Sequence, residues 1–263
     1  MNTPNERVAH YKEKARQARI AVLGMVHKAQ TSHIASNFSV LDLATVLHEN
    51  LEKGDEVLWS KGWAAASAYY FLAKQGKIPQ EDLEKFPNPP YLGLAETTVP
   101  GIWVSGGSVG QGLPVSVGMA LGKKLANEDG RIFCIMSDGE LDEGTVWESA
   151  RIAARHKLNN LVAIIDKNGW QAMGRTEEVN GGEPRDAFKG FGWDVVEIDG
   201  HNHASIEYAL GCRAEKPIVI IADTIKGKGV SFMENHLVFH YKHLEKDEYE
   251  KAMAELNGDL ANV

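Results

Sequence analysis

Residues 131–170, RIFCIMSDGELDEGTVWESARIAARHKLNNLVAIIDKNGW, decide the fold. RIFCIMS and LVAIID are short apolar runs flanked by charge, the composition of parallel strands covered on both faces. The stretch 143–157 between them reads as a helix. WDVVEID (193–199) and PIVIIADT (217–224) repeat the strand character, with a second helical segment over 203–214 between them. Apolar strands alternating with helices mean βαβ units. The expected class is α/β, with a doubly wound, mostly parallel sheet and helices on both faces.

Working outward, the first 55 residues read as helices. Val8, Tyr11, Ala15, Ala18, Val22 and Met25 recur at spacings of three and four. TSHIASNFS (31–39) is a polar break, after which Ser39 reads as an N-cap with Asp42 completing an approximate capping box. Another helix is expected over 62–75. PNPPYLGLAETTVPG (87–101) holds four prolines and reads as a surface loop. GGSVGQGLPVSVGMALGKKLA (106–126) reads as a glycine-rich turn feeding a buried helix, with Pro114 tolerated in the first turn. The expectation is a single domain over 1–263, with 1–55 as an N-terminal helical segment and 246–263 as a charged helical tail.

Composition narrows the function classes. Hydrophobic residues at 43% and charged residues at 24% exclude a disordered, collagenous or disulfide-stapled chain. Lys and Arg total 28 against 36 acids, a net charge of −8 that argues against a nucleic-acid partner. No apolar run approaches the length of a membrane span, and the polar N-terminus has no signal-peptide core. Cys134 and Cys212 fit neither a zinc nor a disulfide framework, so a cytoplasmic location is expected.

Ligands of doubly wound sheets bind at the carboxyl ends of the strands. Two such ends carry polar residues that the strands do not need: Ser137-Asp138-Gly139-Glu140, and Asp166-Lys167-Asn168-Gly169-Trp170. Asp138 and Asn168 supply hard oxygen ligands of the kind magnesium takes while sharing its remaining positions with phosphates. Gly139 lets the backbone approach a phosphate, and the helix N-terminus after it offers amide donors. Each residue alone has a plainer role, Asp138 capping the next helix and Asn168 making a turn.

Together they are sharper. Asn168 follows Asp138 by thirty residues, and the stretch 137–170 resembles the thiamine diphosphate motif that begins Gly-Asp-Gly and ends near such an Asn. More specifically the chain resembles the N-terminal, pyrophosphate-binding half of transketolase. Ser32-His33, Trp59-Ser60-Lys61-Gly62, Gly107-Ser108-Val109-Gly110-Gln111-Gly112 and Thr224-Ile225-Lys226-Gly227-Lys228-Gly229 carry the resemblance along most of the chain. It implies the thiamine diphosphate-binding fold, thiamine diphosphate and Mg2+ as cofactors, and transfer of a two-carbon ketol unit between a ketose and an aldose. It implies that Asp138, Asn168 and the backbone carbonyl of Trp170 ligate the metal. Gly139 and Gly107 then lie on the diphosphate, Val109 lies by the aminopyrimidine, and His33 and His240 stand near the thiazolium and the substrate hydroxyls. Glu143 and Glu148 match acids at a subunit interface.

Three positions depart from the family. Ser137 replaces the first glycine of the motif, while Trp63 and Leu94 stand where transketolases have histidines beside the cofactor and the ketose. An indole only donates a hydrogen bond and leucine does neither, so an unusual sugar substrate is expected. The chain also ends soon after the first domain, which implies a separate C-terminal transketolase-like subunit in an α2β2-like assembly, with no membrane partner. The alternatives are a thiamine diphosphate enzyme acting on a 2-oxo acid, and a catalytically inactive paralogue.

Overall fold

The computed structural model describes residues 3–258. Helix α1 (Pro4–Ala29) opens on a capping box between Thr3 and Glu6, and α2 (Ile34–Glu49) follows after a short turn. Strand β1 (Glu56–Trp59) and helix α3 (Ala65–Lys74) come next, then α4 (Gly112–Ala126), β2 (Ile132–Ser137), α5 (Gly144–Arg155) and β3 (Leu161–Lys167). A small antiparallel pair, β4 (Trp170–Gln171) and β5 (Gly174–Arg175), leads into α6 (Thr176–Val179) and α7 (Pro184–Phe191). The chain continues through β6 (Asp194–Asp199), α8 (His203–Gly211), β7 (Ile218–Asp223) and α9 (Lys246–Asn257). The helical tail thus reaches Asn257, and the part of it expected over 259–263 lies outside the described residues. Among the described residues no helix is long and apolar enough to cross a membrane.

The main sheet is parallel throughout, in the order β1-β2-β3-β7-β6. Strand residues alternate between two separate cores. Phe133, Ile135, Val162, Ile164, Ile218 and Ile220 face the side packed by α1, α2, α3 and α8. Ile132, Cys134, Met136, Leu161, Ala163, Ile165, Val219 and Ile221 face the side of α4, α5 and α7. Burial on both faces explains why these strands read as unbroken apolar runs. Each buried Val, Leu, Ile, Phe or Met among them contributes about 1.5–3 kcal/mol by leaving water.

Several expectations are corrected. Ser39 is not an N-cap and Asp42 completes no capping box. The helix begins at Ile34 behind His33, whose backbone is left-handed (φ +71°), so Ser39 lies more than a turn inside it and is buried. Its hydroxyl instead donates to Asp166 at the end of β3 (2.6 Å). Asp42 is buried against the Arg19 guanidinium (2.7 and 3.0 Å) and His201 (2.7 Å). Residues 87–101 are irregular but not merely surface, since Tyr91, Ala95 and Val99 enter the core. Helix α4 is buried along one face only, with Val115 and Leu125 exposed. Strand β1, too short to stand out, pairs with β2 from Glu56–Ile132 to Trp59–Ile135 and forms one edge of the sheet.

His48 on α2 stacks on Phe71 (4.5 Å between ring centroids), with neither ring nitrogen hydrogen-bonded. Burial, then Lys77, pushes its imidazole down to about 3. The unfolded chain therefore binds a proton here near pH 6.5 that the folded chain refuses, and stability falls as pH drops from about 6.5 towards 3. His48→Phe should make the slope of unfolding free energy against pH shallower by about 1.4 kcal/mol per unit in that window. Urea unfolding at several pH values measures it, and an unchanged slope would contradict the assignment.

Candidate functional site

The carboxyl ends of β1, β2, β3 and β7 converge on one cavity of about 350 Å3. Lys61 leaves the end of β1, and its buried ammonium forms an ion pair with Asp166 at the end of β3. The same Nζ donates to the Ser36 carbonyl (2.7 Å) and to Ser39 Oγ (3.1 Å). Asp166 also accepts from the Thr224 hydroxyl, just beyond β7. Burial alone would raise this carboxyl, but Lys61 and the two hydroxyls hold it below the ordinary range.

Asp138, at the end of β2, is almost as buried but has no cation of its own. It accepts from the amides of Gly139 (2.9 Å) and Gly169 (2.6 Å). Burial and then the neighbouring Asp166 charge push it up to about 7. Asn168 is 6% exposed, and its Oδ1 accepts from the Trp170 amide (3.1 Å), with a lone pair left over. The structure thus brings Asp138, Gly139, Asn168 and Trp170 together at the ends of β2 and β3. Gly139, Asn168 and Trp170 line the cavity, and Asp138 borders a neighbouring one of about 440 Å3.

The opposite wall comes from α2 and the segments after β1 and β7. His33, Ser36, Lys226 and His240 stand along it. The rings of His33 and His240 lie 5.1 Å apart, and the His33 amide donates to the His240 carbonyl (3.1 Å). His240 is therefore a buried wall residue rather than one of a surface cluster. Burial, with Lys226 next, lowers His33 to about 4 and His240 to about 3. Lys226 is 1% exposed, and among the described residues its Nζ hydrogen-bonds to Ser36 Oγ and His240 Nδ1, both at 3.0 Å. Burial, then Lys61, lowers it to about 7.

Gly107, Val109, Trp63 and Leu94 complete the lining with a mostly apolar wall. Trp63 and His33 are tied together by Asn37, whose amide donates to both carbonyls (3.4 and 3.0 Å). The glycine-rich loop is fixed by the fully buried Glu140, which accepts from the amides of Gly110 and Ser137 (both 3.0 Å) and from the Ser60 hydroxyl. Glu143 and Glu148 lie outside the cavity, exposed at the start and first turns of α5.

Lys61, Lys226, Asp166, Glu140 and Asn37 have no role assigned by the sequence reading. A usable signal existed for Lys226, which closely follows the apolar run PIVIIADT at a strand's carboxyl end, whereas no comparable run precedes Lys61.

Comparisons with known proteins identify the family. The family model described as transketolase, thiamine diphosphate binding domain, matches residues 10–260. The chain belongs to the transketolase family. It is 36% identical over 253 residues to a subunit of apulose-4-phosphate transketolase from Phocaeicola vulgatus, covering 89% of each chain. It is 34% identical to 6-deoxy-6-sulfo-D-fructose transketolase subunit SqwG of a Clostridium species, covering 98% of this chain and all of that one. Transketolase from Campylobacter jejuni superposes with a TM-score of 0.90 at 28% identity, over 98% of this chain and 43% of that one. The chain spans less than half the length of such full-size transketolases. Its sheet and helices are the thiamine diphosphate-binding fold of the family.

The residues present fit that cofactor and a divalent ion. Among the described residues no cluster of three His, Cys, Asp or Glu side chains could hold a metal. The available oxygen donors are one carboxylate, one amide and a peptide carbonyl, a set suited to a hard ion that keeps phosphate ligands. Asp138 lacks a cation and Lys226 lacks an anion, and a metal diphosphate supplies both. A Cβ at Gly139 would come within 3.1 Å of Gln171 Cβ, on a wall of the cavity.

Gly112 is held closest of the loop glycines. Its amide donates to Ser60 Oγ (3.1 Å), and a Cβ there would overlap the Ser60 side chain. Gly112→Ala should cost about 1–3 kcal/mol in urea unfolding. Undiminished stability would mean that the loop does not pack on Ser60.

Proposed function

We propose that this chain is the cofactor-binding subunit of a split transketolase, binding thiamine diphosphate with Mg2+ and transferring a two-carbon ketol unit from a ketose to an aldose together with a separate subunit. The observation that carries the reading is the pair Asp138 and Asn168 at adjacent strand ends, with Asn168 lining the cavity that also holds Lys226 and Asp138 bordering the cavity beside it. Membership of the family and two relatives of similar length that are named as transketolase subunits support it. The free thiols of Cys134 and Cys212 suit a cytoplasmic location.

In this reading Asp138, Asn168 and the Trp170 carbonyl hold the metal. Gly139, Gly107 and Lys226 meet the diphosphate, with Val109 and Trp63 against the rings. Bound thiamine diphosphate supplies the electron sink that cleavage of a carbon–carbon bond next to a carbonyl requires. The protein orients that group and excludes water between the Trp63 wall and the His33 wall. His33 and His240, held neutral by burial, exchange hydrogen bonds and protons with sugar hydroxyls. Trp63 and Leu94 make the other wall insensitive to hydroxyls, which supports a non-standard sugar over an ordinary pentose phosphate. Glu143 and Glu148, exposed together, suit the subunit interface of an α2β2-like assembly.

Calorimetric titration of thiamine diphosphate with Mg2+, with and without the partner subunit, tests the site. Asp138→Ala should weaken binding about a hundredfold, or ~2.7 kcal/mol. Equal binding by the variant would refute the metal assignment. Ketol transfer should appear only when both subunits are mixed. Full turnover by the lone chain would sink the split-enzyme reading, and carbon dioxide release from a 2-oxo acid would replace the ketose donor.

A further inference from the structure

Lys226 is a buried cation with no carboxylate of its own. Its neighbour Lys61 takes Asp166, whereas among the described residues no acid forms an ion pair with Lys226. It lies instead 3.0 Å from Nδ1 of His240, on the cavity wall. An ammonium has three donors and no acceptor. While Lys226 is charged, Nδ1 of His240 must therefore accept, and the single ring proton sits on Nε2. When Lys226 is a neutral amine its lone pair can accept from Nδ1–H, which leaves Nε2 bare and basic.

We propose that Lys226 is a positioning residue that sets the tautomer of His240. The proposal rests on the reading above only in that Nε2 faces a substrate hydroxyl. An anionic group bound at Lys226 keeps the ammonium charged, so the ring then presents Nε2–H to that hydroxyl as a donor. In the free chain, where Lys226 can lose its proton, the ring proton moves from Nε2 to Nδ1 as the amine becomes an acceptor, a route that never places two protons on the ring.

The environment favours this route over an imidazolium. Burial and Lys226 push His240 down to about 3, so a doubly protonated ring is costly at neutral pH. Lys226 is poised at about 7 by burial and by Lys61 at the end of β1, against which Asp166 of β3 and Asp138 of β2 favour its charged form. Among the described residues His33, from the start of α2, and Tyr241 face the His240 ring, and the Lys61 charge also acts on it. Ser36 Oγ, the other Lys226 partner, serves the amine as donor or the ammonium as acceptor and so permits both states.

The test uses the full chain labelled with 15N-histidine, without cofactor, so its failure is distinct from failure of the cofactor assignment. The His240 ring resonances are identified by their loss in His240→Gln. In the wild type the ring should pass from the Nε2–H to the Nδ1–H tautomer with a midpoint near 7 and no imidazolium signature. Lys226→Arg keeps the donor but cannot lose its proton, so it should hold the Nε2–H form across about pH 5–9. Lys226→Met should remove the pH dependence of the tautomer. If either variant fails to fold, the wild-type titration alone decides. A wild-type ring that keeps one tautomer, one that becomes imidazolium near its ordinary value, or a Lys226→Arg chain that switches as the wild type does would each overturn the proposal.

Discussion

The rest of the site depends on the ion pair between Lys61 and Asp166. A buried ion pair is tolerable only where every remaining donor and lone pair is engaged. Here the three ammonium donors meet Asp166, the Ser36 carbonyl and Ser39 Oγ, while the carboxylate also takes the Ser39 and Thr224 hydroxyls. Those partners belong to β1, β3, α2 and the segment after β7. One charge pair thus locks four separate stretches of chain into register at the sheet's carboxyl end. It also makes that end polar and rigid before any ligand arrives.

Its second consequence is electrostatic. Because Asp166 is matched to Lys61, it is unavailable to Lys226, and because Lys61 is matched to Asp166, it does little for Asp138. Two buried groups of opposite sign are left without an ion pair among the described residues, Lys226 on the cavity wall and Asp138 at the border of the cavity beside it. Each drifts towards its neutral form, Asp138 upward and Lys226 downward, both to about 7. A ligand carrying a divalent cation at one end and an anionic oxygen nearby removes both penalties at once. Burial cost in the free protein therefore becomes binding energy, and affinity for the metal and for the diphosphate should be mutually dependent.

How much of this was legible in the sequence follows from what each residue touches. The apolar runs of β2, β3 and β7 were readable because both of their faces are buried, and Asp138 and Asn168 because they sit directly at strand ends. Strand β1 was not, since four residues at an edge give no periodicity. Ser39 and Asp42 misled for a physical reason: a polar residue in an apolar helix looks like a boundary when its partner is distant in sequence. Ser39 answers to Asp166, 127 residues away, and Asp42 to Arg19, His201 and His203. Glu140 and Asn37 were missed likewise, because the bonds that tie them to the site reach Gly110 and Ser60, and Trp63 and Ser67, which only the tertiary fold brings near.

The two walls of the cavity divide recognition between them. Trp63 and Leu94 can select only by shape, because an indole offers one donor and leucine offers no polar atom. Hydrogen-bond discrimination must then come from His33, His240 and Ser36, all on the other wall. In the proposed reading such a site would sense hydroxyl configuration along one edge of a sugar and tolerate change along the other, provided the volume fits. Asn37 holds the backbone of both walls through His33 and Trp63, so the separation between them is a property of α2 and not of flexible side chains. Substituents that differ in polarity but not in bulk should therefore be poorly distinguished at Trp63, and those that differ in bulk sharply so.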